Sequence, residues 1–211
     1  MHTPIQQIRQ DLLNQRSSFA QSSEFDSTYA LFLSQFRQFL LQEGEGYRSI
    51  AFCWPYRDEL DLREPLCAWR ESRSNRYLLL PKVEANRQLI FYTWSDPDSL
   101  ILNTYGIAEP NPKAKGVEPM NPDCILIPCL GWLNYQNQFW RLGYGGGYFD
   151  RTIASLKLTG HRFITAGIAF DWQALDHHRW TPQVHDQALD LMITNSGSTK
   201  IRLGLSGVVQ L

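Results

Sequence analysis

The stretch "DCILIP", Asp123 to Pro128, constrains this chain more than any other. Its central residues are apolar whichever way they point, so a strand here is covered on both faces, as at the centre of a parallel sheet. Parallel neighbours need long crossovers, usually helices, and the rest of the chain supplies both kinds of segment. "RSIAFCW" (Arg48 to Trp54), "YLLLP" from Tyr77, "RQLIFYTW" from Arg87, "RFITAGIAF" from Arg162 and "LDLMIT" from Leu189 read as strands. Helical spacing recurs at Ile5, Ile8, Leu12 and Leu13, at Tyr29, Phe32, Leu33, Phe36, Phe39 and Leu40, and at Phe149, Ile153 and Leu156. A further helix is expected in "RDELDLREPLCAWRESR", with Pro65 in its first turn. A short edge hairpin is expected in "KIRLGLSGVVQL", Lys200 to Leu211. The implied fold is one α/β domain over residues 1–211: three layers, α/β/α, around a mostly parallel central sheet.

With 20 Lys+Arg against 21 Asp+Glu, the net charge is -1. No global field collects nucleic acid or an acidic membrane surface, and an anion site must be local. No run approaches the ~20 apolar residues of a membrane span, and "MHTPIQQIRQDLLNQR" lacks the apolar core of a signal peptide. The expectation is a cytoplasmic protein, a monomer or weak dimer, with no nucleic-acid or membrane partner. Cys53, Cys67, Cys124 and Cys129 contain no C-x-x-C pair and read as reduced core thiols. Cys129, at a strand end, is the one candidate nucleophile among them.

The stretch "RLGYGGGYFDR", Arg141 to Arg151, holds four glycines. On glycine content alone it is a tight turn or an anion site. It runs into a helix, where free amides and a partial positive charge favour anions, while Arg141 and Arg151 can add charge-assisted bonds. Asp150 can hold Mg²⁺ beside phosphates. No Lys-Ser/Thr follows, so it is not a P-loop, and it comes too late to be a dinucleotide fingerprint. Elsewhere, Glu59 and Asp61 read as acidic residues at a helix N-terminus, and His177-His178 as a solvated loop pair without a further ligand nearby. His185 and Asp186, adjacent on an extended segment, point opposite ways and make no relay. The long loop "GIAEPNPKAKGVEP" from Gly106 is a functional candidate by its length.

These residues resemble the 5-formyltetrahydrofolate cyclo-ligase family. Its signature R-L-G-x-G-x-G-Y-Y-D is matched by "RLGYGGGYFD" at every position but one. "RDELDL", "YGIAEP", "DCILIPCLGW", "AGIAF" and "VHDQALDLMIT" resemble further family segments in the family's order, from about Ile5 to Thr194. The resemblance implies a Rossmann-like fold, of the kind shared with phosphosugar isomerases and CoA transferases. It implies ATP- and Mg²⁺-dependent closure of 5-formyltetrahydrofolate to 5,10-methenyltetrahydrofolate, through a phosphorylated imidate. Carried over by position, Arg9, Arg141, Leu142, Gly143, Tyr144, Gly145, Gly146, Gly147, Tyr148 and Phe149 would bind ATP. Trp54, Glu59 and Tyr144 to Tyr148 would bind the folate, Asp150 and Asp186 would hold Mg²⁺, and Arg141, Tyr148 and Glu59 would be catalytic.

Three departures stand out. Ile5 occupies the place of the family's N-terminal lysine, and no lysine occurs before Lys82; Arg9 or Arg16, on the same helix, is expected to supply the charge. "GWLNYQNQFWR", an aromatic connection, is longer than its counterpart, and Phe149 replaces a tyrosine. Ile5 and the altered connection motivate an alternative, a catalytically impaired folate- or nucleotide-binding protein on the same fold. A phosphosugar isomerase or acyl-transfer relative, needing no ATP, is a further one.

Overall fold

The computed structural model describes residues 4–85, 87–95 and 99–200. Helices α1 (Ile5–Ala20) and α2 (Phe25–Gln42) come first, then strand β1 (Ser49–Ala51), helix α3 (Arg63–Glu71) and strands β2 (Tyr77–Val83) and β3 (Leu89–Trp94). The long loop contains a small hairpin, β4 (Leu100–Leu102) with β5 (Ala108–Pro110). Strands β6 (Cys124–Pro128), β7 (Gly131–Tyr135) and β8 (Gln138–Leu142) lead to helix α4 (Tyr148–Leu158). Strands β9 (Ile164–Ile168), β10 (Leu191–Thr194) and β11 (Gly197–Lys200) follow. The edge hairpin expected from Lys200 to Leu211 falls, beyond Lys200 itself, outside the described residues.

The seven-stranded sheet runs β11-β10-β9-β6-β1-β2-β3, with antiparallel pairing at its two edges and parallel pairing between. The expected three-layer fold is present. The "DCILIP" strand lies between β1 and β9, in register Ile50↔Cys124 and Leu126↔Ala166, and Cys124 to Ile127 are at most 1% exposed. Alternation divides the sheet between two cores. Ile50, Leu78, Leu126 and Ile168 pack with Phe32, Phe36, Phe39 and Leu66 of α2 and α3, while Ala51, Leu79, Ile125 and Ile127 pack with Ile153 of α4. Each fully buried phenylalanine there contributes roughly 1.5–3 kcal/mol.

Helix α1 meets the first of these cores only near its end, where Phe19 packs on Phe170 with ring centroids 5.0 Å apart. Its Ile8 and Leu12 pack with Leu130, Leu133, Leu142, Leu175 and Trp180 in a third cluster. That cluster exists because "GWLNYQNQFWR" is not a plain connection but the hairpin β7–β8, turning at Gln136 (φ 53°) and Asn137 (φ 57°). Two consecutive left-handed residues match the twist of a two-residue hairpin. The hairpin carries the glycine stretch away from the main sheet and against α1. Among the described residues, no helix is long and apolar enough to cross a membrane.

Candidate active site

Chain order reverses between β1 and β6: β1 leads outward to β2 and β3, β6 to β9, β10 and β11. Open α/β sheets bind ligands at such a switch point, beyond the carboxyl ends of the strands. Here a cavity of about 20 Å³ lies there, lined by Phe52 and Cys53 after β1, Pro128 and Cys129 at the end of β6, Glu59, and Arg16 from α1. It has room for about one water. A larger cavity, about 340 Å³, lies between β3, α4 and residues 119–121; its walls, including Phe91, Met120 and Leu156, carry no charged side chain. Nothing there suits a polyphosphate.

Glu59 reaches the small cavity from a strained loop, for Arg57 (φ 50°) and Asp58 (φ 59°) are both left-handed without being glycine. Its Oε2 accepts from the Tyr56 amide at 3.2 Å and its Oε1 from the Tyr144 hydroxyl at 2.9 Å. The Arg16 Nη2 donates to that same hydroxyl at 2.5 Å, and its Nη1 lies 3.9 Å from Glu59 Oε1. The Arg16 and Glu59 side chains are 4% and 7% exposed, and Arg16 Nε has no hydrogen-bond partner among the described residues. Burial pushes the Glu59 carboxyl above its usual range, while Arg16, the Tyr144 hydroxyl and the Tyr56 amide pull it back. Burial likewise raises the Tyr144 phenol. The Cys129 thiol is pushed up to about 12 by burial, so this candidate nucleophile stays an inert thiol.

The glycine stretch leaves β8 at Leu142, whose buried side chain serves the α1 cluster. Gly145 (φ +98°) and Gly147 (φ +65°, capping α4) need the left-handed region, and a Cβ on Gly146 would fall 2.4 Å from the Tyr148 ring. Among the described residues no side chain caps α4, which leaves its first amides available to an anion. Arg9 Nε donates to the Gly143 carbonyl at 2.9 Å, and its guanidinium lies against Gly145. Burial lowers the Arg9 pKa, an effect the Asp186 charge opposes. Arg151 braces the loop from behind, donating to the carbonyls of Gly146 and Arg87.

At the rim, Arg141 Nη2 donates to Asp150 Oδ1 at 2.6 Å and Arg141 Nη1 to the Gln187 carbonyl at 2.8 Å, while the Gln187 amide donates to Asp150 Oδ1 at 2.8 Å. This triangle fastens the segment carrying Asp186 beside Asp150. Asp186 Oδ2 accepts from the Gln183 amide at 2.7 Å, and His185 points out to solvent.

Arg9, Arg141, the glycine loop, Tyr144, Glu59, Asp150 and Asp186 are thus drawn to one end of the sheet. Two expected site residues are not drawn to Glu59. Trp54 stacks edge-on with Trp94 at 5.7 Å and lies under Arg63 at 4.5 Å, outside the cavity wall. Tyr148 packs toward the α4-side core, hydrogen-bonded with Tyr105, and Phe149 lies on that same side. Gln173 escaped the sequence reading: its amide, buried, bonds the carbonyls of Cys129 and Leu130 and the Phe170 amide, fixing the turn after β6. Gln187 escaped as well, since its role lies in its backbone. His177 and His178 are exposed, as expected, but a further ligand does stand near them, Asp176. The ligand atoms of these three exposed residues lie within 4.8 Å of one another, the one such group of three among the described residues.

An open sheet that places a buried carboxylate beside a glycine loop and a helix start, at a switch point of the strands, is the framework of an α/β enzyme with a small-molecule site at that end. Residues 3–195 match the 5-formyltetrahydrofolate cyclo-ligase family, and the chain belongs to this family of ligases. It is 27% identical to a probable 5-formyltetrahydrofolate cyclo-ligase of Schizosaccharomyces pombe, over 58% of this chain and 63% of that one, just under two thirds of the relative's length. It is 25% identical to the 5-formyltetrahydrofolate cyclo-ligase of Haemophilus influenzae, over 82% of this chain and 88% of that one. The structure is similar to the 5,10-methenyltetrahydrofolate synthetase of Aquifex aeolicus (TM-score 0.71, 26% identity, 97% and 96% of the two chains covered). The synthetase from Mycoplasma pneumoniae shares the fold (TM-score 0.65, 22% identity, 90% and 98% covered).

Proposed function

We propose that this protein closes 5-formyltetrahydrofolate to 5,10-methenyltetrahydrofolate at the expense of ATP, releasing ADP and phosphate. The observation that carries this reading is Tyr144: it belongs to the glycine loop, yet its hydroxyl is bonded to Glu59. A phosphate cradled by the loop and a ligand held at Glu59 are therefore one side chain apart. That proximity is what transfer of a phosphoryl group onto a bound formyl oxygen needs.

In this reading the formyl oxygen attacks the γ-phosphorus and ADP leaves. N10 then closes on the activated formyl carbon, losing its proton as phosphate departs. The amides of Gly143 to Phe149 and the Arg9 guanidinium hold the phosphates, and Arg141 fixes Asp150 while adding charge. Leu142 contributes through its backbone, and Tyr148 and Trp54 contact substrate only after movement from their present positions. Asp150 and Asp186 fit Mg²⁺ by donor chemistry: two carboxylates held together through Gln187, with both bonds to Asp150 falling on one oxygen. When bound there, the ion neutralises phosphate charge. The 20 Å³ cavity is too small for a flat ring, so in this reading it widens on binding, with the loop residues Asp58, Glu59 and Leu60 in its wall the ones to shift.

The test is direct. 5-Formyltetrahydrofolate with Mg-ATP is expected to develop the near-ultraviolet absorbance of the methenyl product. Binding of both substrates without that signal would favour the impaired binding protein, the reading that Ile5 supports.

A further inference from the structure

Arg16 is buried, charged and only partly satisfied, and no family motif quoted above contains it. Burying a guanidinium with a bare Nε is costly unless something else meets it. Its surroundings have a definite pattern. The Tyr144 hydroxyl accepts from Arg16 at 2.5 Å and donates to Glu59 at 2.9 Å, so one small group serves as acceptor toward the arginine and donor toward the carboxylate. Both Arg16 and Glu59 line the cavity at the switch point, whereas Tyr144 comes from the loop and as a residue is 43% exposed. The Tyr144 hydroxyl is thus placed like a plug at a site that presents a donor beside an acceptor.

We propose that Arg16 is a substrate-binding residue which, with Glu59, reads a lactam edge: a ring carbonyl next to a ring N–H. The inference rests on the folate reading above and deepens it. The pterin ring of a folate carries such an edge, its 4-oxo group beside N3–H. Arg16 donates to the oxygen and Glu59 accepts from the N–H, and the Tyr144 hydroxyl holds this place while the pocket is empty. Displacing it moves a residue flanked by Gly143 and Gly145, so filling the pocket reorders the loop that Arg9 contacts. The division of α1 follows: Arg9 faces the loop and Arg16, two turns further on, faces the ring.

A carbonyl-to-amine exchange on the ligand tests this. Binding of 5-formyltetrahydrofolate and of its 4-amino analogue is measured by calorimetry on the full chain, for wild type, Arg16→Met and Arg16→Lys. The amine turns a donor toward Arg16, so wild type is expected to prefer the 4-oxo compound at least about tenfold, as a lost charge-assisted hydrogen bond requires. Arg16→Met should reduce the preference several-fold, to what Glu59 alone supplies, since N3 of the amine carries no hydrogen for that carboxylate; Arg16→Lys, keeping one donor group, should fall between the two. A structural role for Arg16 would weaken both ligands equally and preserve the preference, which overturns the proposal, as does a wild type without preference. Melting curves show which variants fold, and Arg16→Lys alone decides the matter should the methionine variant fail. If wild type turns over 5-formyltetrahydrofolate while the preference ignores Arg16, only this inference falls. If wild type binds neither compound, the folate reading falls with it.

Discussion

Arg141 and Asp150 stand nine residues apart in the chain, yet their side chains meet at 2.6 Å, closing the glycine loop into a ring. The pair is largely buried, with side chains 5% and 18% exposed. Removing one partner leaves the other charge uncompensated, which costs about 3 kcal/mol at the lower end for such pairs. Asp150→Asn is therefore expected to lower the melting temperature by about 6 °C or more for a chain of this size. If Asp150 also serves Mg²⁺, the same variant needs more Mg²⁺ for half-maximal turnover. Full turnover at an unchanged Mg²⁺ requirement would remove the metal assignment and leave the ion pair.

The loop glycines separate by geometry. Gly145 sits at φ +98°, and a Cβ there would approach the Arg9 guanidinium to 3.1 Å, whereas Gly143 has nothing within 4 Å and no positive φ. Gly145→Ala should cost about 1 kcal/mol or more in backbone strain and raise the KM for ATP at least about tenfold. Gly143→Ala should leave KM within about twofold. Titration of ATP against initial rate for both variants checks the contrast, and equal effects would deny the loop its special backbone.

Glu59 offers a test through pH. Burial raises its carboxyl pKa above the ordinary 4.5 in the folded chain, so the folded protein holds that proton more tightly than the unfolded one. Its contribution to stability is fully present below pH 4.5 and is lost as pH rises through the raised folded value. Comparison with Glu59→Gln isolates this, because every other titrating group is common to both. The melting temperature of the variant relative to wild type should be constant below about pH 4.5, climb through the Glu59 window and level off above it. The groups facing Glu59 do not blur the window: Tyr144 and Cys53 are both pushed upward, and Arg16 is a guanidinium. A relative melting temperature that fell across that range would mean that Arg16 outweighs burial.

Much of this geometry was legible in the residues. "DCILIP" announced a central strand because apolar side chains on both faces leave no solvent side. The helical period placed Arg9 and Arg16 together before any partner was known. The hairpin β7–β8 was hidden because its turn is Gln136-Asn137 rather than an Asn-Gly or Asp-Gly pair, although Trp132, Asn134 and the residues beyond alternate as a strand should. The Arg141–Gln187 link had no signal at all, since it uses a main-chain carbonyl distant in sequence. The Glu59–Tyr144 contact was equally silent: it joins two loops, and its distance is set by how α1 packs on the hairpin.

Arg9 carries the last expectation. Ile5 stands where a lysine would reach the phosphates, and it packs partly against the α1 cluster, so its side chain is committed to holding the helix. Arg9, one turn on, donates to the Gly143 carbonyl and lies against Gly145, with the Asp186 charge acting on it. It is the first Lys or Arg in the sequence and the one that α1 delivers to the loop backbone. Arg9→Ala is expected to raise the KM for ATP at least about tenfold, the value of one charge-assisted contact, while the KM for 5-formyltetrahydrofolate stays within about twofold. Arg9→Lys should recover part of the loss, because it restores charge without the fork that spans the Gly143 carbonyl and a phosphate. Should Arg9→Ala leave ATP untouched, the loop amides and the metal suffice, and Arg9 is only a brace between α1 and the loop.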